Sequence, residues 1–122
     1  MPEVNVKDLV IKQTVCDVPS RYCHGLDRMD KAMAYGVFHA DAKAHYFDIY
    51  EGTGRGFIDW VWEAHSGMDR HSNQINNVLI EVGGDIAISE AYVTVALWTL
   101  ANKQGVQTEI IGRDRYLNRW CF

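Results

Sequence analysis

From Arg70 to Cys121 the chain alternates in character over stretches far longer than an ordinary strand. Residues 70–82, 85–99 and 106–121 read as strands of about 13–16 residues, where about 5–6 is usual. Gly83-Gly84 separates the first two and suits a two-residue hairpin turn that needs φ > 0. A polar loop at 102–105 precedes the third. Strands this long must twist and coil, so their sheet bends. Helices packed on the concave face leave a cone-shaped pocket between the layers. With 122 residues the chain is one domain, 1–122, of α+β class: N-terminal helices on a strongly curved antiparallel sheet.

The first half supplies the helices. Ile11, Val15, Val18, Tyr22 and Leu26 recur at helical spacing and mark one apolar face. Pro19 lies inside this pattern and must kink the helix or start a new one after Asp17. Asp30 is placed to cap a short helix over 31–35 that Gly36 ends. Residues 43–50 alternate as a strand, and EGTGRG reads as a loop. Phe57, Trp60, Val61 and Ala64 predict a third helix, with His65 near its end.

Composition narrows the function. Net charge is −4 with no basic stripe, which excludes a nucleic-acid binder. No apolar run approaches the roughly 18 residues of a membrane span, and the N-terminus has no signal-peptide pattern. Cys16, Cys23 and Cys121 form no metal-type spacing and are read as core-filling thiols in a reducing cytoplasm. The five histidines are not spaced as a ligand set, so no metal is expected.

Four segments carry a resemblance. They are Tyr22-Cys23-His24-Gly25-Leu26-Asp27-Arg28-Met29-Asp30, Val37-Phe38-His39-Ala40-Asp41-Ala42, Asn77-Val78-Leu79-Ile80-Glu81-Val82-Gly83-Gly84-Asp85-Ile86-Ala87, and Gly112 with Arg115-Tyr116-Leu117-Asn118-Arg119-Trp120. In this order, over roughly residues 8–120, the chain resembles the SnoaL-like branch of the nuclear transport factor two-like superfamily. Scytalone dehydratase, hexachlorocyclohexane dehydrochlorinase and polyketide cyclases are among its members, as are non-catalytic subunits of ring-hydroxylating dioxygenases. The resemblance implies a cofactor-independent lyase or isomerase. In such enzymes an Asp at the end of the first helix orients a His on the sheet, and the His takes a proton from carbon.

Asp27 occupies the Asp position of the resemblance; read alone, it caps or terminates its helix. The His position, four residues before Asn77, holds Asn73, which cannot take a proton at neutral pH. His71 lies two residues earlier, on the same strand face and about 7 Å away. It is either a displaced base or a solvated strand end. A Gly83-Gly84 turn pairs Val82 with Asp85. Asn77 then faces Glu90, Ile75 faces Tyr92 and Asn73 faces Thr94, with Leu79 and Trp98 on the same face. The candidate catalytic pair is therefore Asp27 and His71. The candidate ligand contacts are Asn73, Tyr46, Asn77, Tyr92 and Trp98, with Tyr46 and Tyr92 as pocket hydroxyls.

Two functions follow. One is a dehydratase or isomerase of a cyclic hydrophobic molecule, working without cofactor. The other is a non-catalytic ligand-binding or subunit-type domain whose base has become Asn73. Relatives continue past the RYLNRW strand into a last strand; here either the sheet is one strand shorter or the chain is a truncated product. An uncovered apolar edge calls for a partner, so a homodimer or homotrimer is expected.

Overall fold

The computed structural model describes residues 5–122. Helix α1 (Val6–Asp27) is followed by α2 (Lys31–Tyr35), strands β1 (Lys43–Tyr46) and β2 (Tyr50–Thr53), and α3 (Gly54–Ser66). Strands β3 (Met68–Gly83), β4 (Ile86–Thr99) and β5 (Glu109–Cys121) complete the order. The long strands form an antiparallel sheet β3-β4-β5, and β1-β2 is a separate hairpin.

The helices begin where their caps allow. Asn5 accepts from the backbone N–H groups of Lys7 and Asp8, Asp30 from Met33, and Thr53 from Gly56. Helix α1 runs unbroken through Pro19, so no new helix starts after Asp17. The expected strand at 43–50 is instead two short strands around a turn, and the expected EGTGRG loop is divided between β2 and α3. Gly25 lets α2 pack on α1: a Cβ there would stand 2.8 Å from the backbone N of Ala34. This contact fixes the chain just beside Asp27.

The core lies between the helices and one sheet face. Tyr22, Cys23, Leu26, Ala34, Phe57, Ile58 and Val61 form its main cluster. Ile11 and Val15 of α1 join Ala87 in a second. Burying a side chain such as Leu26 or Ile58 contributes about 1.5–3 kcal/mol. Cys23 serves this core as expected, but Cys16 and Cys121 are exposed, and all three thiols are free. Among the described residues, no helix is long and apolar enough to cross a membrane.

The first hairpin turns one residue later than expected. Gly83 pairs with Ile86, so Gly84 and Asp85 make the turn, and Gly84 takes the positive φ of +64°. A second departure matters more. Ile75 pairs with Val93 but Val78 pairs with Ala91, so Asn76 and Asn77 together oppose Tyr92. This β-bulge inserts one residue into β3 and reverses the parity of its faces. Asn73 and Ile75 face the helices before it, whereas Val78, Ile80 and Val82 do so after it.

Candidate functional site

Asp27 ends α1, but its carboxylate does not cap that helix. It reaches β3, whose outward N–H groups have no strand partner among the described residues. The backbone N of Asn73 donates to Oδ1 at 3.0 Å and to Oδ2 at 3.1 Å. The carboxamide Nδ2 of Asn73 donates to Oδ1 at 2.7 Å. His71 Nδ1 stands 3.5 Å from the same oxygen. Asp27 therefore gathers two of the residues expected to work with it, Asn73 and His71. The cost of half-burying its charge is met by these donors.

His65 completes the cluster. It is buried, and its ring meets His71 edge to face with centroids 4.6 Å apart. Its Nε2 lies 3.4 Å from Asn73 Nδ2, and its Nδ1 lies 3.0 Å from the Val61 carbonyl. Burial lowers its pKa below the usual 6.5, opposed by the bond to the Val61 carbonyl; the nearby His71 lowers it further and Asp27 raises it. Sequence reading placed His65 only at a helix end. The available signal was its position eight residues before Asn73, across the tight α3–β3 connection at Gly67.

The other candidates divide. Tyr46 faces the core, stacked on Phe57 at 3.9 Å between centroids and edge-on to Tyr116 at 6.1 Å. Burial pushes its hydroxyl up to about 12, and burial likewise raises Tyr22 and Tyr116. Cys23 is the electrostatic neighbour of both this tyrosine cluster and Asp27, and burial followed by Asp27 pushes its thiol up to about 12. Tyr92 and Trp98 are not in the pocket. The bulge sets the odd-numbered residues of β4 toward the helices, as the burial of Ala87, Ser89, Ala91 and Val93 records. Tyr92 and Trp98 therefore lie on the outer face, under the guanidinium groups of Arg115 and Arg70. Asn77 is exposed within the bulge.

The space between helices and sheet is filled around Tyr22, Tyr46, Phe57 and Tyr116. A cleft of about 430 Å³ opens instead at the seam of α1 and β3, where Ser20, Cys23, His24, Asp27, Asn73 and Ile75 are among its walls. Among the described residues, no group of three or more His, Cys, Asp or Glu is placed to hold a metal ion.

Solved structures share this fold. A type 2 hexachlorocyclohexane dehydrochlorinase (LinA) superposes with a TM-score of 0.81 at 15% identity, covering 98% of this chain and 80% of that one. A candidate scytalone dehydratase from Novosphingobium aromaticivorans gives 0.80 at 17% identity, covering 94% and 76%. The Mycobacterium tuberculosis protein Rv3472, of unknown function, gives 0.72 at 24% identity, covering 93% and 67%. At these identities the likeness speaks for the fold and not for the reaction. No curated protein sequence matches the chain significantly. The family model of the SnoaL-like domain matches residues 8–121, and with that match over nearly its whole length the chain belongs to the SnoaL-like domain family.

Proposed function

We propose that the chain is a small lyase or isomerase that takes a proton from carbon in a cyclic, hydrophobic molecule, with Asp27 and His71 as its acid–base pair. The observation that carries this reading is the direction of the Asp27 carboxylate, turned from its helix end onto β3 with His71 Nδ1 at 3.5 Å. With Nδ1–H aimed at a carboxylate, Nε2 is the nitrogen left to act as base. Asp27 then stabilises the imidazolium that forms. The C–H electron pair becomes a double bond as a hydroxyl on the next carbon leaves; the His71 imidazolium gives the proton it took to that hydroxyl, which departs as water and leaves the imidazole neutral again. In an isomerase the imidazolium returns the proton to another carbon. The scheme calls on no metal or organic cofactor. The type 2 LinA and the candidate scytalone dehydratase among the structural neighbours favour elimination within this class.

The test is proton abstraction from nitrobenzisoxazole, an apolar ring opened by removal of one C–H proton. The parent should exceed buffer, and Asp27→Asn and His71→Ala should each lose at least about tenfold while keeping the fold. Equal turnover by both variants would reject the pair.

One observation favours the second reading, a non-catalytic ligand-binding member. Asn73 takes the shortest bond to Asp27, 2.7 Å, and His71 only the longer contact. Under that reading the parent binds apolar rings in the cleft and does not turn them over.

We also propose that the chain self-associates through its outer sheet face, and that its three free thiols suit a reducing cytoplasm. Leu79, Ile88 and Leu117 stand exposed on adjoining strands of that face, around Glu90.

A further inference from the structure

His65 Nδ1 faces the carbonyl of Val61, one turn back in α3, at 3.0 Å. A carbonyl only accepts, so Nδ1 carries the proton. In the neutral ring Nε2 is then an acceptor. It meets Asn73 Nδ2 at 3.4 Å. The same Nδ2 lies 2.7 Å from Asp27 Oδ1. A carboxamide oxygen in that place would oppose both a carboxylate and an imidazole lone pair. The amide orientation of Asn73 is thus set from two sides, with one N–H on Asp27 and the other on His65. What Asn73 has left is Oδ1, an acceptor, and Asn73 is a wall of the cleft at the α1–β3 seam. Asp27, half-exposed beside it, offers a second acceptor.

We infer that His65 is a positioning residue of this site: it locks Asn73 so that the cleft presents an acceptor next to Asp27, and the ligand group that belongs there is a hydroxyl or N–H donor. The ligand clause rests on the proposed function, because it names a feature of the molecule bound in that cleft. The lock itself does not. Burial keeps His65 in the neutral form that the lock requires.

The lock is tested on the full chain without ligand by NMR. His65 should be the neutral Nδ1–H tautomer at pH 7. His65→Phe, which keeps a ring and loses the acceptor, should speed solvent exchange of the Asn73 side-chain N–H at least about tenfold. His65→Gln, whose carbonyl can accept, should stay within about threefold of the parent. An Nε2–H tautomer, or unchanged exchange in His65→Phe, overturns the lock. The tautomer reading on the parent decides it if His65→Phe does not fold. The donor assignment is tested with 2-naphthol and its methyl ether as probes. The naphthol should bind at least about fivefold more tightly and shift the Asn73 side-chain amide signals. Equal binding of the two, or binding of neither, overturns the assignment. Loss of turnover in the Asp27 and His71 variants bears on the proposed reaction alone, so the two ideas fail separately.

Discussion

Asp27 holds Asn73 at both its backbone and its side chain, with the carboxamide bond at 2.7 Å and the backbone bond at 3.0 Å. The double grip joins the end of α1 to the edge of β3 three residues before the bulge. It also occupies an N–H that an edge strand would otherwise offer to another chain. A carboxylate that serves as a structural clamp can still orient an imidazole, because each oxygen has more than one lone-pair direction.

Replacing Asn73 by His puts an imidazole where the carboxamide now meets Asp27. The variant is expected to gain at least about tenfold in nitrobenzisoxazole ring opening over the parent, with a rate that rises as the new imidazole loses its proton. Stopped-flow or plate-reader kinetics across pH 5–8 would show it. A variant that folds and shows no gain would mean that the position no longer faces a space a substrate can enter.

The depressed pKa of His65 makes stability depend on pH. In the unfolded chain the ring titrates near its ordinary 6.5, and in the folded chain lower. Above about 6.5 both states are neutral, and this stability is fully present. As pH falls through 6.5 toward the folded value, the unfolded state binds the extra proton and stability is lost. Urea unfolding of the parent should therefore weaken over that interval, and His65→Gln should remove that part of the slope. An identical slope in the variant would contradict it.

Much of the fold was legible because long strands and periodic helices leave strong patterns. The face of α1, the Asp30 cap and the length of the three strands all follow from residue spacing. The bulge at Asn76-Asn77 was not legible from uniform alternation. Its trace is the switch from Ile75 to Val78, Ile80 and Val82 as the apolar positions, which left both faces looking mixed. That one extra residue sent Tyr92 and Trp98 outward. His65 was missed for another reason: its role depends on a contact between α3 and β3, and helical spacing says nothing about what lies across it.

Pro19 sits inside α1 and cannot donate to the Val15 carbonyl one turn back. Val15 is almost fully buried. Pro19→Ala restores that bond and relieves the ring's crowding, against a smaller loss from the freer unfolded chain. The net expectation is a gain of about 1–2 kcal/mol, read as a higher urea midpoint at unchanged m-value. A lower midpoint would mean that the proline sets a bend on which the packing of α1 against β3 depends.

Association through the outer sheet face can be separated from folding. Leu79 and Leu117 flank Glu90 on neighbouring strands, 69% and 76% exposed, and Ile88 beside them is 52% exposed. Their side chains leave the sheet on the side away from the core. Charges there cost the monomer little, since surface substitutions usually stay within about 0.5 kcal/mol. Charges would oppose a second copy strongly, because each would be desolvated without a partner. Sedimentation of the parent at micromolar concentration should show a dimer or trimer. Leu79→Lys combined with Leu117→Lys should shift it to monomer at nearly unchanged urea midpoint. A parent that sediments only as monomer would reject association through this face, and a double variant that keeps the parent's assembly would move the contact elsewhere on the molecule.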